Sequence, residues 1–257
     1  MGKKGILLLT VGVIATGQSL AGEVFYRVDF RADELELTTG QGYQFARMAG
    51  CDVTDRVGEP QVPVKLLHLL LPEGSRATGV EVIRTREEEL TLEHDIYPAQ
   101  PPEILPIPGV ALERRTFVEP EAAVYSSSSR YPATLVELAG CGNMGAYRIA
   151  SVLVYPLQYL PREKRLFLHS EVEFKLQLRE GLPPPWRRSE SLREFLKALL
   201  FNGEALDSAQ SSQSGERQYL IITSSAFRPA FQLLADWKSK KGVPAIVVTT
   251  DSIYANS

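Results

Sequence analysis

Only two cysteines, Cys51 and Cys141, and three histidines, His68, His94 and His169, occur in the 257 residues. So few thiols exclude a disulfide-built scaffold. There is no Cys-x-x-Cys, no pair of histidines at a metal-ligand spacing and no Gly-rich loop shaped for a phosphate, so no metal or other cofactor is expected. Charge of one sign is also lacking: 28 Lys and Arg are scattered among 31 Asp and Glu, for a net charge of -3. Without a basic face, nucleic acid is excluded as an expected partner. Long apolar runs are missing after the first residues, because Lys65 and His68 interrupt VKLLHLLL and Pro72 ends it. No span of a bilayer is expected there.

The first residues are different. Lys3 and Lys4 precede the apolar stretch ILLLTVGVIATG, and Ser19, Leu20 and Ala21 follow. A basic start, a short apolar core and small residues three and one before the cut form a secretory signal, with cleavage expected after Ala21. An uncleaved anchor is the alternative, although the core is shorter than the ~20 residues that a spanning helix needs. The expectation is export to the outside of the cell. In that oxidising setting a Cys51–Cys141 disulfide is open as one alternative and two free thiols as the other; a loop of that size would contribute about 4 kcal/mol.

From 23 to 179 the pattern is that of half-buried strands with period two. EVFYRVDF places Val24, Tyr26, Val28 and Phe30 on one face; RLFLHSEVEFKLQLR does the same with Leu166, Leu168, Val172, Phe174, Leu176 and Leu178. Further strands are expected in LELTT, VKLLHLLL, GVEVIR, ATLVELA and YRIASVLVYPLQY, with Pro and Gly dense in YPAQPPEILPIPG. These features predict an all-β, sandwich-like domain. GLPPPWRR then breaks the sheet, and SESLREFLKALLFNG predicts a C-terminal helix that closes against it. Ser191 and Glu194 are spaced as a capping box, Leu192, Phe195, Leu196 and Leu199 form a stripe, and Gly203 marks the stop. The polar, Ser/Gln-rich residues 203–217 read as an exposed linker.

After the linker the pattern changes. YLIIT is a short run suited to a strand buried on both faces. A helix follows from Ser224 or Ser225, with Phe231, Leu234 and Ala235 inward, and Gly242 ends it. AIVVTT is a second buried strand. Strand, crossover helix and strand form the first unit of a parallel sheet, which needs further strands to cover both faces.

YLIIT, Phe227, LADWKSKKG and AIVVTTDSIY resemble the opening of the catalytic domain of gingipain-type cysteine peptidases. Upstream, GEPQVPV, LLLPEG, the Tyr131-Pro132 pair and YRIASVLVYPLQYLP resemble the gingipain propeptide domain. The resemblance implies a mixed fold: signal peptide 1–21, all-β propeptide domain 22–202 with its C-terminal helix, linker 203–217, and at 218–257 the incomplete start of a caspase-like α/β peptidase domain. It implies the N-terminal part of a secreted precursor, whose prodomain keeps a cysteine endopeptidase latent and assists its folding until proteolytic removal. The partner would be the chain's own downstream peptidase domain, acting on protein substrates. Because relatives cut after Arg or Lys, Arg217 and Arg188 are the candidate activation sites. The different-class alternative is a secreted β-sandwich adhesion or binding module, or a stand-alone protease inhibitor. For an adhesin, an exposed row made of Tyr125, Tyr131, Tyr155 and Tyr159 would be the sign.

A cysteine peptidase needs a thiolate and a His within hydrogen-bond reach. In the relatives the His precedes Gly, and here none of the three does. Cys141 sits in LVELAGCGN, ahead of the α/β unit, and is expected to be structural, as is Cys51. His68 is expected in a sheet or core, His94 and His169 in solvent, and the acidic run REEE at 86–89 on a solvated surface. No catalytic residue is therefore assigned within this chain.

Overall fold

The computed structural model describes residues 22–102, 116–181, 190–208, 219–241 and 243–255. Its elements in chain order are β1 (Glu23–Asp29), β2 (Leu35–Gly40), β3 (Tyr43–Met48), β4 (Asp52–Val53), β5 (Pro63–Leu70), β6 (Ser75–Thr91), α1 (Ala122–Tyr125), β7 (Val136–Met144), β8 (Tyr147–Val154), β9 (Leu157–Leu160), β10 (Arg165–Glu180), α2 (Glu190–Leu199), α3 (Ala205–Ser208), β11 (Tyr219–Thr223), α4 (Arg228–Lys240), β12 (Ala245–Thr249) and α5 (Thr250–Tyr254). The chain divides into two compact units. One is Met1–Leu67, Ala77–Gly140 and Ser151–Arg179; the other is His68–Arg76, Cys141–Ala150 and Glu180–Ser257.

In the first unit β10 is the spine. It pairs antiparallel with β1 through Val24↔Leu176, Tyr26↔Phe174 and Val28↔Val172, and with β9 through Leu166↔Tyr159 and Leu168↔Leu157. β6 lies along its other edge. The alternation predicted from the sequence is realised: Val172, Phe174 and Leu176 are fully buried, and Tyr26 stacks on Phe174 with ring centroids 5.6 Å apart. Each such side chain contributes roughly 1.5–3 kcal/mol by leaving water. YRIASVLVYPLQY is split at Tyr155 and Pro156 into β8 and β9.

β3 and β4 have no counterpart among the expected strands. In β3 the buried residues are Ala46 and Met48, while Tyr43 and Phe45 lie on the more open side, so the polarity pattern does not follow burial. The β2–β3 hairpin closes through Gln41 and Gly42, both with positive φ (56° and 81°). That backbone is a type I′ turn, whose twist matches the strands it joins. A second four-stranded sheet has the order β4-β5-β8-β7. The GEPQVPV motif leads into its β5: the Thr54 hydroxyl donates to the Pro60 carbonyl (2.9 Å) and accepts from the Val62 amide (3.0 Å).

In the second unit α2 covers the ends of β5 and β8. Leu196, Leu200 and Leu206 pack with Leu70, Tyr147 and Ile149. This corrects three expectations. The helix includes Ser191 rather than starting after it. Its inward stripe is Leu192, Leu196 and Leu200, while Phe195 is 57% exposed and Leu199 41%. The packed body also continues past Gly203: α3 forms there and Leu206 is 1% exposed. Leu206 is therefore a core residue inside the expected linker, between the exposed Glu204 and Asp207, and 209–218 lie outside the described residues. Gly203 is needed because a Cβ at that position would stand 2.3 Å from the Lys197 carbonyl oxygen. The side chain of Asn202 accepts from the Leu70 amide (2.7 Å) and donates to the Leu70 carbonyl (3.0 Å), taking the place of a neighbouring strand.

Also in this unit, β11 and β12 pair in parallel from Tyr219↔Ala245 to Thr223↔Thr249, joined through α4. The expected βαβ unit is present, with Pro229 in the first turn of α4. Ala235 is buried, but Phe231 and Leu234, expected to face inward, are exposed. Ile221 is buried, whereas Leu220 and Ile222 are exposed. One face of the pair is covered and the other is bare.

Leu206→Ala is expected to lower stability by about 2–4 kcal/mol, whereas Phe195→Ala should change it by less than about 0.5 kcal/mol. Urea unfolding followed by circular dichroism measures both; equal losses would mean that 203–208 does not belong to the folded body.

Candidate functional site

The polar side chains of the first unit converge on His169. The ring is 1% exposed, which corrects the expectation of a solvated histidine. Gln158 Nε2 donates to the Pro132 carbonyl (2.8 Å), so Gln158 Oε1 is left to accept from His169 Nε2–H at 3.1 Å. His169 Nδ1 then accepts from the Thr85 hydroxyl at 2.9 Å. Both nitrogens are thus occupied by neutral partners and the neutral tautomer is set by the chain of donors and acceptors. Burial pushes the imidazole down to about 4; Glu87 opposes that shift and Arg130 adds to it.

Around this core the strands are tied together. Tyr131, whose bond to Pro132 is cis, exchanges two backbone hydrogen bonds of 2.7 Å with Tyr159. The Tyr159 hydroxyl donates to Asp95 (2.7 Å) and that of Tyr125 to the Ile96 carbonyl (2.6 Å). Burial holds both phenols well above their usual range. Arg130 lies over the Phe167 ring at 3.6 Å and pairs with Glu87 at 2.8 Å; Arg165 grips Glu89 with two nitrogens. These hydrogen bonds hold Glu87 and Glu89 below the usual carboxylate range. The REEE run is therefore exposed, as expected, but two of its carboxylates are engaged. Being solvent-screened, such pairs contribute little each.

His169, with both nitrogens engaged, is not free to serve a thiol. His68 is half-buried in β5, and His94 is half-buried with its amide donating to Gln44 Oε1 (2.9 Å). Cys51 and Cys141 are unbonded in the structure. β4, which Cys51 precedes, and β7, which holds Cys141, are opposite edges of one four-stranded sheet. Burial pushes the Cys51 thiol up, away from the reactive thiolate form. Among the described residues no group of His, Cys, Asp and Glu is arranged to hold a metal. Ala21, Arg188 and Arg217 lie outside the described residues.

The tyrosine row that would mark an adhesin is not a surface feature: Tyr155 and Tyr159 are buried, Tyr125 and Tyr131 half-buried. The aromatic group that is partly open is Tyr43, Phe45, Tyr97 and Phe117, with Phe45 stacked on Tyr97 at 4.5 Å.

Gln158→Leu removes a donor and an acceptor at once and strands the Pro132 carbonyl and the imidazole N–H. The expected loss is about 2–4 kcal/mol at pH 7.5 in urea unfolding. Under non-reducing denaturing conditions a thiol reagent is expected to count two reactive thiols per chain; a count of zero would contradict the free cysteines.

The comparisons with known proteins follow this geometry. No curated protein matches the chain. A solved complex of Porphyromonas gingivalis RgpB pro- and mature domains is similar over 77% of this chain and 98% of the other, at 19% identity and a TM-score of 0.58. A structure described as giving insight into zymogenic latency of gingipain K from Porphyromonas gingivalis is similar over 68% of this chain and 97% of that one, at 24% identity and a TM-score of 0.50. These likenesses are of fold. The model of Peptidase family C25 matches residues 212–257. The Propeptide_C25 model matches residues 12–207, and the chain belongs to that gingipain-type propeptide family.

Proposed function

We propose that this chain is the front of a secreted zymogen, in which residues 1–21 direct export and the β-rich body through Ser208 holds the following peptidase domain latent and assists its folding. The observation that carries this reading is the order of the two family matches, propeptide at 12–207 and peptidase at 212–257, along one chain. The similar solved structures concern a complex of pro- and mature domains and zymogenic latency, and that behaviour is carried over here as part of the proposal. Physically, a folded body joined covalently to its neighbour meets it at high effective concentration, so even weak complementarity keeps a cleft covered. Cutting the chain between them ends that advantage.

β1 begins at Glu23, and the Leu178 amide donates to the Gly22 carbonyl at 3.0 Å, so the residue after the expected cut at Ala21 is already held by the fold. The bare face of the β11–β12 pair supports a continuing peptidase domain, because a parallel pair is stable only when both faces are covered. Peptidase action on proteins, with the thiolate and its base beyond this chain, and activation by a cut after Arg217 or Arg188, complete the proposal.

The test is to express the gene from Met1 through its stop codon. The secreted product is expected to begin at Gly22 and to leave casein intact until limited trypsin treatment, then to digest it in an iodoacetamide-sensitive way. Full activity before any cut would sink the latency reading. Replacing both Arg217 and Arg188 by Ala is expected to slow activation at least tenfold, read from the N-termini of the fragments; an unchanged rate would place the cut elsewhere.

A further inference from the structure

His169 is a buried ionisable group that neither the peptidase chemistry nor the ion pairs of the fold require. It stands where three elements meet: β10 carries it, β6 contributes Thr85, and β9 contributes Gln158, which also holds the Pro132 carbonyl. We propose that His169 is an acid-sensitive pin, whose protonation loosens the contact of β6, β9 and β10 and thereby weakens the prodomain's hold on the peptidase domain. The link to latency rests on the proposed function above; the acid lability itself does not.

The geometry gives the reason. A buried site that excludes water stabilises the neutral ring, and a charge placed there must be met by an anion or rehydrated. The ring's hydrogen-bond partners are an amide and a hydroxyl. β9 contributes LQYL and no charge. From β6 the facing carboxylate is Glu87, but it is committed to Arg130 at 2.8 Å, and Arg130 opposes a second positive charge nearby. On β10 itself Arg165 holds Glu89 and Glu163, and Glu171 pairs with Arg27 at 2.8 Å. No anion on any of these elements is uncommitted and facing the imidazolium. Opening the site to water is the way to accommodate it.

The sign follows from linkage. The folded-state value near 4 lies below the ordinary 6.5, so between those values the unfolded chain binds the proton more tightly. The stabilising effect of the neutral ring is complete above pH 6.5 and is lost as pH falls toward 4. Relative to pH 7.5, the unfolding constant should rise by roughly 30-fold at pH 5 and roughly 150-fold at pH 4 from this one group.

The experiment compares the full 257-residue chain with His169→Gln, which keeps an amide donor and acceptor but cannot titrate. Urea unfolding at pH 7.5, 5 and 4 gives the ratio of unfolding constants, wild type over variant. The ratio is expected to grow by the factors above, other acid-sensitive groups cancelling between the two proteins. A ratio that stays constant within twofold overturns the pin. Should the variant not fold, the histidine Hε1 resonances of the folded wild-type chain decide: an imidazole of His169 titrating near 6.5 overturns the proposal, and one still neutral at pH 5 supports it. Latency is read separately. A precursor held at pH 4.5 and returned to pH 7.5 should gain casein activity without trypsin; diverging unfolding curves without that gain would overturn the link to latency and leave the acid lability standing.

Discussion

A sixteen-residue strand cannot be left with unpaired backbone, and the first unit is arranged around that requirement. β10 has β6 on one side. On the other it is served in turn by β9 at Arg165–Leu168 and β1 at Asp29–Glu23. Between the two partners, His169 and Ser170 are bonded individually, the His169 amide to the Pro156 carbonyl and the Ser170 carbonyl to the Phe30 amide. Where one neighbouring strand hands over to the next, a gap in the ladder would expose buried donors. The polar side chains of Gln158 and Thr85 gather at this same handover, which is why the one deeply buried histidine stands there.

The buried side chains of Gln158 and His169 are hydrogen-bonded, whereas the buried Tyr26 hydroxyl and one Glu59 carboxylate oxygen find no partner. The helix α2 and its short continuation α3 bind the end of the body to β5 and β8 through Leu196, Leu200 and Leu206. Membership in the propeptide family and the match to the peptidase family from 212 onward divide the labour in the same way.

Much of the frame was legible in the residues. The period-two faces of β1 and β10 and the βαβ unit follow from side-chain polarity and turn chemistry. What was not legible depended on burial set at a distance. β3 hides behind inverted polarity, with Ala46 and Met48 inside and Tyr43 and Phe45 more open. His169 shares its side of β10 with Phe167, and an apolar residue on the supposed solvent face was the available sign that both faces there are buried. The stripe of α2 was misread by including Phe195, because a helix offers several apolar arcs and only the docking partner selects one. The polar composition of 203–208 concealed Leu206, a single anchor that the surrounding Asp, Glu and Ser outvoted.

Asn202 carries a consequence for the exposed edge of a sheet. β4 covers only the first residues of β5, so the remainder of that edge would present free amides and carbonyls to any passing strand. Phe201 donates to the His68 carbonyl at 2.9 Å and Asn202 caps both polar groups of Leu70. The segment after α2 thus acts as a seal against edge-to-edge association.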